Sequence, residues 1–149
     1  MTQWTHQNKL VEDLPDGCIG FVYLITNIIT GRKYIGKKSG ISRRTKTKTV
    51  TLKTTGEKKK KKIRTSTESN WRDYYGSSEE LCVDVEFFGV EAFDREILRF
   101  CTTSGEISYY EARYQMLYDV LLKPDEWYNG WISVKVHRTH LKHLTVESN

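Results

Sequence analysis

Two tyrosines, Tyr23 and Tyr34, stand with ten residues between them in a stretch that otherwise reads as an ordinary hairpin. Tyr23 lies in the strand-like run Phe21-Val22-Tyr23-Leu24-Ile25-Thr26. Tyr34 opens Tyr34-Ile35-Gly36-Lys37-Lys38, with Asn27 and a Thr30-Gly31 turn between the runs. A free phenol ionises at about pH 10, so such a hydroxyl works as a hydrogen-bonded relay unless a nearby cation lowers its pKa. Lys37 and Lys38 leave the second run at the right end to supply that charge. Paired strands bring both hydroxyls to one end of a sheet if the two side chains share a face. Packing alone also places tyrosines in strands.

The other groups with chemistry to offer lie downstream. Residues 106–122, EISYYEARYQMLYDVLL, carry Ile107, Tyr110, Tyr114, Leu117, Tyr118 and Leu121 on one face at helical periodicity. Glu111 falls at about 70° from the centre of that face, on the border between core and solvent. Glu106 has the same offset, so periodicity does not separate the two carboxylates. His137, His140 and His143 recur every third residue. On a helix they fan too widely for an easy shared metal, and they read as part of a basic surface segment.

The elements that must position these groups follow from local patterns. Residues 1–18 read as an N-terminal arm, in which Leu10, Val11 and Leu14 can pack on the body and Pro15-Asp16-Gly17 marks a turn. Ser78, followed by Glu79 and Glu80, opens a helix that turns Leu81, Val85 and Phe88 inward and stops at Gly89. Phe93 to Cys101 reads as a third strand. Thr103 or Ser104 caps the next helix, and Lys123-Pro124 ends it. The expected fold is α+β: a small three-stranded antiparallel sheet flanked by helices, over residues 19–136. Residues 39–68 form a Lys/Arg-rich insertion, and residues 137–149 a basic tail. Within the insertion, Thr-Lys alternation around Val50 and Leu52 allows a strand ribbon. The run Lys58 to Lys62 must be solvated or neutralised by a partner, which predicts a mobile or irregular segment in the free protein.

The whole chain has 149 residues, enough for one domain, and 38% hydrophobic residues, enough for one modest core. A formal charge of +5 favours a polyanionic partner. Cys18, Cys82 and Cys101 are scattered with no CxxC pair, which argues against a disulfide framework or zinc finger. No apolar stretch approaches the roughly 20 residues that span a bilayer, and the first residues lack the pattern of a signal peptide. A soluble protein without a membrane partner is expected, located in the cytoplasm.

Tyr23, ten intervening residues and then Tyr34-Ile35-Gly36 is the spacing of the GIY-YIG nuclease family, with Phe21-Val22-Tyr23 where that family has Gly-Ile-Tyr. The chain further resembles the family in Arg44 ten positions after the second tyrosine, in Glu111 within Ser108-Tyr109-Tyr110-Glu111-Ala112, and in Asn129 within Tyr128-Asn129-Gly130. The stretches WRDYYGSSEEL and FDREIL look most like the phage-borne homing and mobile endonucleases of that family.

The resemblance implies a DNA endonuclease acting on double-stranded DNA, in the host cytoplasm if phage-encoded. Its implied catalytic set is Tyr23, Tyr34, Arg44, Glu111 and Asn129. Glu111 would bind Mg²⁺ (or Mn²⁺), with water and a substrate phosphate completing the shell. Arg44, with Arg43 as the competing assignment, would hold the phosphate through its planar donor fork. Tyr23 would activate the attacking water and Tyr34 would position the water or the phosphate. Lys37, Lys38, Arg43, Lys58, Lys59, Lys60, Lys61, Lys62, Arg64, Tyr75 and Ser77 are the expected DNA contacts. Some relatives carry a His just before the Ser-Ser pair, where this chain has Gly76, leaving Tyr74, Tyr75 or another group to replace it. A restriction or repair nuclease on the same scaffold, or a silent nucleic-acid-binding module, fits the same residues.

Overall fold

The computed structural model describes residues 3–146, apart from the side chains of Arg44, Lys46 and Arg64. The strands are β1 (Trp4–His6), β2 (Lys9–Leu10), β3 (Gly20–Asn27), β4 (Lys33–Ser39), β5 (Ile41–Thr51) and β6 (Lys58–Glu68). Helix α1 (Glu79–Phe88), strand β7 (Phe93–Cys101) and helix α2 (Ser104–Leu117) complete the regular elements. No helix among the described residues is long and apolar enough to cross a membrane.

Five strands form a mixed sheet in the order β2-β1-β7-β3-β4. The expected three antiparallel strands are its core, with β3 between β7 and β4. The correction concerns the N-terminal arm. Trp4 pairs with Arg95 and Thr5 with Glu96, so β1 joins the sheet parallel to β7. Trp4 is buried and its indole N–H donates to the Trp71 carbonyl at 2.8 Å. A strand of three residues carries too little alternation to be read locally. Its partner lies far along the chain.

β3 is covered on both faces, which explains its continuous apolar run. On one face Phe21, Tyr23 and Ile25 pack with Trp4, Trp71, Leu81, Phe93 and Ile97, beneath α1. On the other, Val22, Ile35 and Cys101 pack with Ile107, Tyr110, Val120 and Trp127, beneath α2. Helix α1 starts and stops as expected, with the Ser78 hydroxyl accepting from Leu81 N and Gly89 at its C-cap. Thr103 caps α2 by accepting from Glu106 N at 3.1 Å.

Helix α2 ends at Leu117, earlier than its apolar stripe suggests. Asp119 takes a positive φ of 53°, the chain turns, and Val120 enters the core where the helix would have placed Leu121. Leu117 and Leu121 are exposed as a result. The chain then runs beside the outer edge of β4, where Lys33 N donates to Glu126 O and Tyr128 N to Lys33 O.

The basic insertion is a regular two-stranded ribbon in which β5 and β6 pair only with each other. This overturns the expectation of an irregular segment. The β-branched threonines of β5 favour an extended backbone, and the full register from Ile41↔Glu68 to Thr51↔Lys58 satisfies the facing backbone groups. Ser69 closes its base, donating from N to Gly40 O and from Oγ to Ser39 O. The expected basic tail is tied down as well. A turn of 3₁₀ helix at Arg138–Leu141 rests so close to Gly105 that a Cβ there would lie 2.6 Å from His140 Cβ.

Candidate active site at the free edge of the sheet

β4 is the last strand of the sheet, so its outer edge has no strand partner. Asn129 fills that role at one residue. Its Oδ1 accepts from Ile35 N at 3.1 Å and its Nδ2 donates to Ile35 O at 2.8 Å. Gln115, one turn beyond Glu111 on α2, adds a bond from Nε2 to the same carbonyl at 3.0 Å. Asn129 and Gln115 are both buried. Asn129 therefore spends its amide on fixing β4, a positioning role that the sequence reading did not give it. Gln115 was not foreseen, although its i+4 spacing from Glu111 on one helix is a readable signal.

Around this pinned edge lies a cleft of about 880 Å³. Tyr34 reaches it from the α1 face of the sheet, Lys37 and Glu111 from the α2 face, with Ser77, Asn129 and Trp131 on its walls. The Tyr34 and Ser77 hydroxyls are 3.3 Å apart. Lys37 Nζ donates to Ser108 Oγ at 3.2 Å. Burial raises the Glu111 carboxyl above its ordinary pKa, and the charge and backbone N–H of Lys37 work against that rise.

Glu106, indistinguishable from Glu111 by periodicity, has another task. Thr102 N and Oγ1 donate to its carboxylate at 3.1 and 3.0 Å, and His143 Nε2 lies at 3.1 Å. Burial works to raise its pKa, but the Thr102 backbone, His143 and the Thr102 hydroxyl outweigh it and hold it below the usual value. Glu106 binds the tail to α2, and Glu111 faces the cleft.

Tyr23 shares a face with Tyr34, the condition for bringing the two hydroxyls together, and the ring centroids are 6.1 Å apart. Its side chain is nonetheless fully buried, packed edge-on against Tyr74 and Trp4. Among the described residues the hydroxyl makes no hydrogen bond of normal geometry, and burial, with the nearby Tyr74 hydroxyl, pushes its pKa well above that of a free phenol. The lysines do not offset this. Lys37 points to the α2 face, and Lys38 Nζ sits over the Tyr74 ring at 4.3 Å. Tyr23 is a protonated group behind the cleft wall. A bulge in the pairing with β7, between Val22 and Tyr23, sits beside it.

Gly76 has a φ of +98°, and a Cβ there would lie 2.6 Å from Leu81 Cδ2. The absence of a histidine is thus built into the backbone. Tyr74 packs on Tyr23, and Tyr75 lies under the Arg95 guanidinium at 4.2 Å, so neither lines the cleft. Ser77 is the neighbour that reaches the cleft.

The other expected DNA contacts are spread along the ribbon. Arg43 is exposed near its base, and Lys58 to Lys62 are exposed along β6. The side chains of Arg44 and Arg64 lie outside the described residues; their backbones pair with Thr65 and Thr45. Among the described residues, no three His, Cys, Asp or Glu side chains converge as a metal cluster. The cleft still suits a hard cation that keeps most of its water. Glu111 supplies one carboxylate, and one turn away Gln115 Oε1 is buried without a hydrogen bond among the described residues.

Residues 4–132 match the family model described as "Putative endonuclease segE, GIY-YIG domain". No curated protein and no solved structure matches the chain.

Proposed function

The chain belongs to the segE-type GIY-YIG endonuclease family, and from that premise we propose that it hydrolyses phosphodiester bonds of double-stranded DNA with Mg²⁺ (or Mn²⁺), as a homing or mobile nuclease working in the host cytoplasm. The observation that carries this reading is the cleft at the β4 edge, where Tyr34, Lys37 and Glu111 converge from both faces of the sheet.

Glu111 and Gln115 would hold the cation, which when bound would stabilise charge on the phosphoryl oxygens. Tyr34 and Ser77 offer paired hydroxyls that orient the attacking water or a phosphate oxygen. Lys37 brings positive charge to a developing anion. Asn129 keeps the Tyr34–Lys37 segment in register through Ile35. Arg44, or Arg43, would grip the phosphate through its planar donor fork. Tyr23 supports Tyr34 and stays protonated, so in this conformation it would not serve as the base.

Incubation of supercoiled plasmid with the pure protein, with and without Mg²⁺, tests the proposal. Metal-dependent nicking or linearisation that disappears in Glu111→Gln is the expected result. Binding without cutting in any divalent metal would refute it. The sealed hydroxyl of Tyr23 favours one competing reading, a silent nucleic-acid-binding module, and that is the outcome it predicts.

A further inference from the structure

The β5–β6 ribbon carries more information than its charge. Among the described residues no third strand pairs with it, and the described side chains of 47–51 and 58–63 are exposed. Opposed residues share a face, and the register sorts them. One face carries Thr47, Thr49 and Thr51 on β5 opposite Lys62, Lys60 and Lys58 on β6. The other carries Lys48 directly opposite Lys61, with the half-exposed Val50 and Ile63 beside them. Like charges set directly opposite each other destabilise a ribbon, so this one is built to be neutralised.

We propose that this ribbon lies lengthwise in the major groove of duplex DNA flanking the cleaved bond, with its threonine face toward the base edges. The inference rests on the nuclease reading for the identity of the polymer, and does not depend on cleavage.

Three observations support it. The first is width. Two strands about 4.8 Å apart, with side chains, make a body that fits a groove about 12 Å wide and not one of about 6 Å. The second is length. Strands of 11 residues span roughly 36 Å, about one turn of B-DNA. The ribbon also leaves β4 directly after the segment that lines the cleft, so its groove is continuous with the reaction site. The third is chemistry. Threonine presents a short, χ1-restricted side chain with a hydroxyl that can donate or accept and a methyl that can meet thymine. The lysines of β6 lie within reach of phosphates at the groove wall.

The experiment uses the full chain carrying Glu111→Gln, in EDTA, on duplexes of about 40 base pairs. Dimethyl sulfate reads guanine N7, which opens to the major groove. The protein should protect N7 positions over roughly one helical turn, about 10 base pairs. Lys60→Gln/Lys62→Gln should lower the slope of log affinity against log salt by up to about 1.8. Thr47→Val/Thr49→Val keeps β-branching, and should leave that slope unchanged while narrowing the affinity difference between best and random sequences by about tenfold. An RNA duplex of the same sequence should bind more weakly, because its major groove is too deep and narrow. Reactive N7 positions with protected minor-groove adenines, equal affinity for duplex RNA, or an unchanged salt slope in the lysine variant would each overturn the proposal. An enzyme that binds in this way but never cuts would instead refute the nuclease reading.

Discussion

Gly36 lies directly opposite Tyr23 in the β3–β4 pairing, and the Tyr23 ring occupies the space a side chain at position 36 would need. A Cβ there would sit 2.7 Å from Tyr23 Cζ and from Tyr34 Cε1, and closer still to the Tyr23 hydroxyl. The glycine of the second motif therefore exists for the tyrosine of the first. Gly36→Ala should cost about 1–3 kcal/mol, as overpacking of a filled core does. Urea denaturation measures it, and unchanged stability would show that the ring can move aside.

The two tyrosines should separate when each loses only its oxygen. Tyr34→Phe removes a cleft hydroxyl bonded to Ser77 and should slow cleavage by about 100-fold with little change in melting temperature. Tyr23→Phe removes a buried hydroxyl that makes no hydrogen bond of normal geometry among the described residues, and should stabilise the fold by roughly 1 kcal/mol. A lower melting temperature for Tyr23→Phe would mean that its hydroxyl has a partner after all.

The two glutamates of α2 should respond to pH in opposite senses. Burial raises the Glu111 pKa, so its charge opposes folding above the unfolded-state value and the penalty fades as pH falls through the folded value. Glu111→Gln should therefore melt higher than wild type at neutral pH, with the gain vanishing in acid, and wild-type cleavage should fall as the carboxylate protonates. The Glu106 pKa is lowered, so its contribution is present above the unfolded value and is lost as pH falls through the folded one. Glu106→Gln should melt lower at neutral pH, with the difference narrowing in acid. Thermal melts across the acid range, run for both variants, check the pair.

Asn129→Ala leaves the Ile35 amide at the sheet edge without its acceptor, while Gln115 still serves the carbonyl. The expected cost is about 1–3 kcal/mol. Hydrogen exchange should quicken at the Ile35 amide, and cleavage should fall more than DNA binding. Unaltered exchange at Ile35 alongside lost cleavage would return Asn129 to direct chemistry.

The central strands, both helix starts and the N-caps were legible because each is encoded locally. Ser78 precedes two acids, Thr103 precedes the α2 periodicity, and the β3 run is uniformly apolar. What escaped the sequence depends on distant partners. Trp4 reads as part of a loose arm until β7 is placed beside it. Glu106 and Glu111 become distinct only when His143 and Thr102 arrive to claim one of them. The burial of Tyr23 follows from Trp4 and Tyr74 closing over it, and spacing reports neither contact. The ribbon was half legible: Thr-Lys alternation allowed a strand around Val50 and Leu52, while the charge of Lys58 to Lys62 argued for a solvated coil where the register pairs them.

The parallel pairing of β1 with β7 sets an order of events at the ribosome. Trp4 is made first, yet its partner Arg95 follows some ninety residues later. At translation rates of about 5–20 residues per second, the N-terminal strand waits roughly 5–20 seconds for its seat. The β3–β4 hairpin can close on its own soon after it emerges, while Trp4 stays in water. Docking of β1 is thus a late step, and it seals the Tyr23 side of the sheet only when synthesis of the domain is well advanced.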